Sequence, residues 1–500
     1  MSDRTAARIR SGSTLREPLR GRIMGCTALN PDMTARDQAL FLNEHMPAGL
    51  FGGVGVDRSR VAWRLSPEPF WLSPETYAAI ELLGPDLLRF FRGLAGLYQR
   101  SARGTAPRFI AEYLDLGKPE SIVKLGRQNR FKGDVPGVIR PDLILTEGGF
   151  IAAELDNVPG GMGFVGAMAS AYCQLGYDTT GDADGMLTGL AAMLAATAGK
   201  ESPVTALVCS QEADDYRAEL TWLAAAMNAQ GLGETHVCRP EQIVFTEEAL
   251  FVRLEDGAER KIDVLYRNFE LFDLLNVAKQ DLMLYAARHN RVKMTPPPKA
   301  HLEEKLAFAL LHHPLLAKLW KSELGEAYDR LRAIFPETWI LDPRPLPPQA
   351  AISGLVAAGE PVREWSQLVP LGKSERNFVT KPSGYSELAW GSRGVKVAND
   401  LTKDDWQKTL DDALASYPTT PYVLQRFHKG RRVRVPYFDH RSDEIAQLDG
   451  RVRLCPYYFV VGEDVRLGGI LATIAPADKR LIHGMADAIM SPCAVRPDGY

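Results

Sequence analysis

The chain lacks the marks of several large protein classes. Its six cysteines (Cys26, Cys173, Cys209, Cys238, Cys455 and Cys493) contain no Cys-x-x-Cys pair, which argues against a zinc site and points to reduced thiols. Neither charge dominates: 59 Lys and Arg stand against 62 Asp and Glu, a formal net charge of −3. The basic surplus of a dedicated nucleic-acid binder is therefore missing. No apolar run is long enough to cross a bilayer, and the longest, Met186–Ala198, reads as a buried helix. No internal repeat and no signal peptide are visible. The first 22 residues are rich in Arg, Ser and Thr, a composition shared by transit peptides and disordered tails, and we read them as a tail. What remains is a cytoplasmic globular protein of two or three domains, because 500 residues exceed one ordinary core.

The densest chemistry lies in Val138–Asp156 (VIRPDLILTEGGFIAAELD). Two apolar strands meet around a glycine turn, and alternation puts Arg140 and Asp142 on one face, as it does Glu154 and Asp156. A three-residue loop, Glu147–Gly149, sets Asp142 opposite Glu154 and Arg140 opposite Asp156. Like charges in direct opposition destabilise a strand pair, so the three acids call for a cation between them. Hard oxygen ligands suit magnesium, which usually takes one or two carboxylates plus nucleotide phosphates. A surface salt-bridge ladder is the competing reading.

The rest of the chain divides by pattern. Residues 1–34 form the tail and 35–133 a helical region, for example Glu81–Arg100. Residues 134–199 hold the hairpin and the core of its sheet. In 200–299 strands at Pro203–Ser210, Thr235–Arg239 and Asp263–Arg267 alternate with helices, which implies a small doubly wound α/β domain. Residues 300–500 open with helices, pass a proline-rich connector (DPRPLPPQ, Asp342–Gln349), and end in a strand-rich antiparallel lobe. The expected class is thus a multidomain mixture of α/β and α+β.

Phe378–Lys381 is a strand ending in lysine before a loop containing Ser383, Gly384, Gly391, Ser392 and Gly394. Backbone N–H groups of such a loop can close over phosphates, with Lys381 against the α- and β-phosphates. The segment is neither a P-loop nor a Rossmann fingerprint, and an ordinary surface hairpin is the alternative. Tyr422–Phe427 is an apolar strand broken by Gln425, able to offer polar groups to an adenine edge. Lys305 stands at a helix start, where a solvated lysine is the plainer reading. Asn268 and Glu270 end a strand and could receive an amine; a helix cap or interface salt bridge explains them equally.

Taken in order, these segments resemble the ATP-grasp ligases of the circularly permuted kind found in the synthetase part of glutathionylspermidine synthase. Arg140-Pro-Asp142 and Glu154-Leu-Asp156 are similar to that family's R-x-D…E-x-N pattern, Glu304-Lys305-Leu306 to its N-K-A-L-L segment, and Tyr422–Gln425 to its Y-x-x-Q strand. Asp156 replaces the usual Asn, and Thr473 lies where a late arginine is usual. The resemblance implies an ATP-grasp-like fold, with a preATP-grasp-like domain in 200–299 and an antiparallel nucleotide-binding lobe in 300–500. It implies a carboxylate–amine ligase working through an acyl phosphate with ATP and Mg2+ on a small-molecule or peptide acid and an amine. The roles implied are Asp142, Glu154 and Asp156 on magnesium, Lys305 and Lys381 on phosphates, the Ser383–Gly394 loop as cover, Gln425 on adenine, and Arg140 as the catalytic charge stabiliser. Two other classes are a catalytically silent ATP-grasp-like binder and a carboxylate-bridged metal hydrolase.

Overall fold

The computed structural model describes residues 33–47, 49–50, 63–479, 481–482 and 487–497. Nearly all of the expected tail lies outside the described residues, as do the side chains of Trp390 and Ser392. The long helix Pro74–Ala102 starts where the Ser73 hydroxyl accepts the Thr76 N–H at 3.2 Å, with proline in the first turn. Its buried stripe (Ile80, Leu83, Leu87, Phe90, Leu94 and Leu97) recurs at helical spacing. That stripe packs on one face of the principal sheet, with Phe90 stacked on Trp320 at 5.5 Å.

The principal sheet has eight strands built around Glu444–Val461. One edge of that strand pairs antiparallel with Asp464–Pro476; the other pairs with Arg432–Asp439 and then with Val138–Thr146. Gly149–Asp156 closes one side of the sheet, and Ile489–Val495 with two short N-terminal strands closes the other. Side chains alternate between two cores: Val452, Leu454, Tyr458 and Val460 meet the Pro74–Ala102 helix layer. Cys455, Tyr457 and Phe459 meet the helices Met162–Gln174 and Gly185–Ala198.

The stretch expected as one lobe over 300–500 is therefore divided. A strand apolar on both faces, such as 452–460, is covered on both sides, and here it joins the sheet of the hairpin instead of the lobe. The separate antiparallel lobe comprises Thr338–Ile340, Tyr422–Arg426, Phe378–Pro382 and Lys396–Val397 in that order. Its own core gathers Phe378, Leu424 and Trp406, the last from the helix Lys403–Ala415.

The doubly wound sheet expected in 200–299 is present, with four parallel strands ordered Lys293–Thr295, Val264–Asn268, Val204–Cys209 and Glu234–Cys238. An unexpected three-stranded ribbon, Ile243–Phe245, Leu250–Arg253 and Glu259–Lys261, interrupts it. Strands of three or four residues are too short to show alternation. Cys209, Cys238, Cys455 and Cys493 are buried free thiols. No helix among the described residues is long and apolar enough to cross a membrane.

Candidate functional site

The hairpin pairs Asp142 with Glu154 and Arg140 with Asp156, as the sequence predicts, but by a different route. Its loop has two residues, not three, because Thr146 pairs with Gly149; Gly149 takes φ +127°, which only glycine adopts readily. A one-residue bulge at Ala153 then shifts the register back. Ala153, the extra residue, has its carbonyl facing Lys381, whose Nζ donates to it at 2.6 Å across 228 residues of chain.

The three acids do meet cations, but the cations are side chains. Arg140 Nη2 lies 2.8 Å from Asp156 and 3.2 Å from Asp142, and Arg453 Nη1 lies 2.9 Å from the other Asp142 oxygen. Lys305 Nζ sits 2.6 Å from Glu154. Among the described residues no group of three or more His, Cys, Asp or Glu side chains is placed to hold a metal ion. Asp156 is turned to Arg140, which also donates to Gly160 O at 3.3 Å. Burial pushes the Asp142 carboxyl up, yet Arg453 and Arg140 outweigh it and hold it below the usual range. Asp156 goes the other way, raised by burial against the pull of Arg140. Burial brings Lys381 down to about 8, with Lys305 adding to the fall and Glu154 opposing it.

Lys381, Gln425, Asp142 and Glu154 share one cleft of about 100 Å³ between the hairpin and the antiparallel lobe. Gln425 is buried and its amide donates to Thr338 Oγ1 at 3.2 Å. Lys305 reaches the same place through Glu154. A much larger cavity, about 1430 Å³, lies against the proline-rich connector and contains none of these groups.

The glycine loop is anchored at its start and not free over its length. Ser383 Oγ donates to Glu304 at 2.6 Å and Gly384 N–H does so at 3.1 Å. A Cβ at Gly384 would stand 1.8 Å from the Glu303 carbonyl, so this close approach needs glycine. Glu304 also receives Lys118 Nζ at 2.5 Å, a pair with side-chain exposures of 0% and 1%. Further on, Glu387–Ser392 forms a 3-10 turn, Gly391 has φ +59°, and Gly394 N–H bonds Leu388 O at 2.8 Å.

Asn268 and Glu270 are apart from the cleft, beyond the carboxyl end of Val264–Asn268. They line a small hollow with Ser210, Glu212 and Tyr216 where the parallel strand order reverses, the position at which open α/β sheets usually take ligands. Burial, Glu303 and Asp156 push Glu270 well above the usual carboxyl range. Asn268 Oδ1 is buried without a hydrogen-bond partner among the described residues.

Reasoning from sequence passed over Arg453, Cys455, Tyr457 and Lys118. Cys455 Sγ lies 3.4 Å from Asp142, and the Tyr457 hydroxyl donates to Gly160 O at 2.7 Å. The available signal was Arg453 at an alternating position in an otherwise apolar strand. Its Cα pairs with that of Thr473, so an arginine stands across the strand from the place where the resemblance leads one to expect it.

Neither protein-family models nor curated protein sequences match this chain. Among solved structures, it is similar to a glutathione synthetase-like effector from Globodera pallida in its apo form. The identity is 13% and the TM-score 0.56, over 92% of this chain and 97% of that one. A structure provisionally named gamma-glutamylcysteine synthetase from Methylobacillus flagellatus aligns at 11% identity over 76% and 85% of the two chains, with a TM-score of 0.38, too low to bear on the fold. The chain is a mixed α/β multidomain protein sharing the fold of the synthetase-like effector.

Proposed function

We propose that this protein is an ATP-dependent carboxylate–amine ligase of ATP-grasp type, joining a small-molecule or peptide acid to an amine through an acyl phosphate. The observation that carries the reading is the cleft in which Lys381 and Gln425 of the lobe meet Asp142 and Glu154 of the hairpin. Two cross-strand carboxylates together with phosphate oxygens make the donor set magnesium prefers, so Asp142 and Glu154 fit as its holders, with Asp156 left to Arg140. Bound there, the metal would neutralise charge on the phosphates.

The remaining work falls to the chain itself. Lys305 and Lys381 exchange Glu154 and the Ala153 carbonyl for the α- and β-phosphates. Gln425 and the backbone of its strand contact the adenine edge. Arg140, fixed by Asp156, stabilises charge on the transferring group or the tetrahedral intermediate. The loop from Ser383 to Gly394, hinged where Glu304 anchors it, excludes water from the anhydride. Phosphoryl transfer of this kind depends on positioning and charge more than on covalent participation.

A catalytically silent nucleotide binder is the second reading, favoured by the small cleft and by carboxylates that already have side-chain partners. The test is phosphate release from ATP and magnesium with pools of amino acids, peptides and polyamines. Substrate-stimulated release that Asp142→Asn, Glu154→Gln and Lys381→Ala each abolish supports the ligase. Release that survives the first two substitutions refutes the metal holders. ATP binding without turnover against every pool supports the silent binder.

A further inference from the structure

On the outer side of the Pro74–Ala102 helix, Arg92, Arg100, Arg103 and Lys132 surround a cavity of about 550 Å³. Glu463 lines it as well, and the Glu323 carboxylate stands beside Gly96. The three arginines lie along one helix face, and between them Ala95 and Gly96 leave the floor shallow. A Cβ at Gly96 would meet Arg100 Nη1 at 3.6 Å and Glu323 Oε2 at 3.9 Å, ordinary contact distances, so the glycine leaves a shallow recess beside that ion pair.

The existing partners neutralise only part of this wall. Arg92 holds Glu463 through two nitrogens, at 2.6 and 3.1 Å, and donates to Gly462 O at 2.9 Å, although the Glu463 side chain is 87% exposed. Arg100 meets Glu323 at 2.6 Å, while among the described residues Arg103 meets only the neutral Asn129 Oδ1, at 3.2 Å. Lys132 forms no ion pair among the described residues. The loop carrying Lys132 is held from beneath by buried Lys299, whose Nζ donates to the carbonyls of Lys132 at 3.2 Å and Asp134 at 2.7 Å. The cations are thus mounted on a helix and a tethered loop, which lowers the ordering cost of binding.

We propose that this cavity is a binding site for a compact phosphoryl anion, separate from the nucleotide cleft. Guanidinium forks match phosphate oxygens two at a time, and an anion supplies the counter-charge that Arg103 and Lys132 lack. Free phosphate and a small organic phosphate share this chemistry.

The experiment is calorimetric titration of the full chain with inorganic phosphate and with glycerol 3-phosphate. Wild type is compared with Lys381→Ala, which removes a cleft cation, and with Arg103→Glu/Lys132→Glu. Saturable binding retained in Lys381→Ala and weakened about tenfold or more in the double variant is expected. The ligand that binds more tightly identifies the source. Gly96→Leu, which fills the hollow while keeping every charge, is expected to abolish binding even if the charge reversals perturb the fold. No saturable binding to wild type, or binding unchanged by both the double variant and Gly96→Leu, overturns the site.

Discussion

Replacing Lys118 by methionine tests how the helical N-terminal region governs the candidate site. Lys118 Nζ and Glu304 form an ion pair that water hardly reaches, and Glu304 also accepts from Ser383 Oγ, Gly384 N–H and, at 3.4 Å, Leu306 N–H. Methionine preserves the length and apolar stem of lysine but leaves the carboxylate buried without its cation. Removing one member of a buried pair costs about 3–5 kcal/mol. The three remaining donors soften the loss, so about 3 kcal/mol is expected. Lys118→Met/Glu304→Gln removes both charges and should recover much of it, giving a coupling energy of about 2 kcal/mol in a double-mutant cycle.

Denaturant unfolding followed by tryptophan fluorescence measures these differences. The pH dependence supplies a second readout. Burial raises the Glu304 carboxyl, but Lys118, Ser383 and Gly384 together bring it below the usual range. Its contribution is therefore present above the unfolded value of about 4.3 and lost as pH falls through the lower folded value. Without Lys118 that loss begins at higher pH. A Lys118→Met cost under about 1 kcal/mol, with no recovery in the double variant, would show the pair to be as weak as an exposed one and refute the anchoring argument.

Three further outcomes follow from the same physics. Because burial lowers Lys381 to about 8, affinity for a polyphosphate should fall as pH rises through that value, and fluorescence titration of Lys381→Met should lack this step. Glu219, raised to about 7 by burial, accepts the N–H groups of Gly161 and Phe164 at 2.5 and 3.0 Å. The folded form holds its proton longer than the unfolded, so stability falls as pH rises from about 4.3 to 7, and urea unfolding of Glu219→Gln should lack this fall, at a pH-independent cost of about 1–3 kcal/mol because its NH2 group must face one of the two N–H donors. Gly163→Ala places a Cβ 2.0 Å from the Glu219 carbonyl oxygen, and thermal unfolding should show a loss of about 3 kcal/mol or more.

The hairpin was legible because its information is local: alternation and a glycine turn specify which side chains oppose each other. The doubly wound domain was legible for the same reason, its strands and helices following one another in sequence. What the acids do with their charge was not, since Arg453 arrives from a directly paired strand that follows 311 residues later in the chain and Lys305 from another segment altogether. The division of residues 300–500 between two sheets was hidden because a strand's apolar pattern states how deeply it is buried, not which sheet it joins. Gln425 stood out as a polar break in an apolar strand, whereas Lys118, in a turn between two short helices, carried no pattern at all.

The bulge at Ala153 makes the base of the hairpin independent of its tip. A two-residue turn with one bulged residue and a three-residue turn without one give identical pairing at Asp142 and Glu154. A residue can therefore be gained at the tip and lost at the bulge with the acids unmoved, but the Ala153 carbonyl would then rejoin the ladder and Lys381 would lose its resting place. Turn length in this hairpin is thus tied to the lysine of another sheet, and a relative with the longer turn should keep its lysine somewhere else.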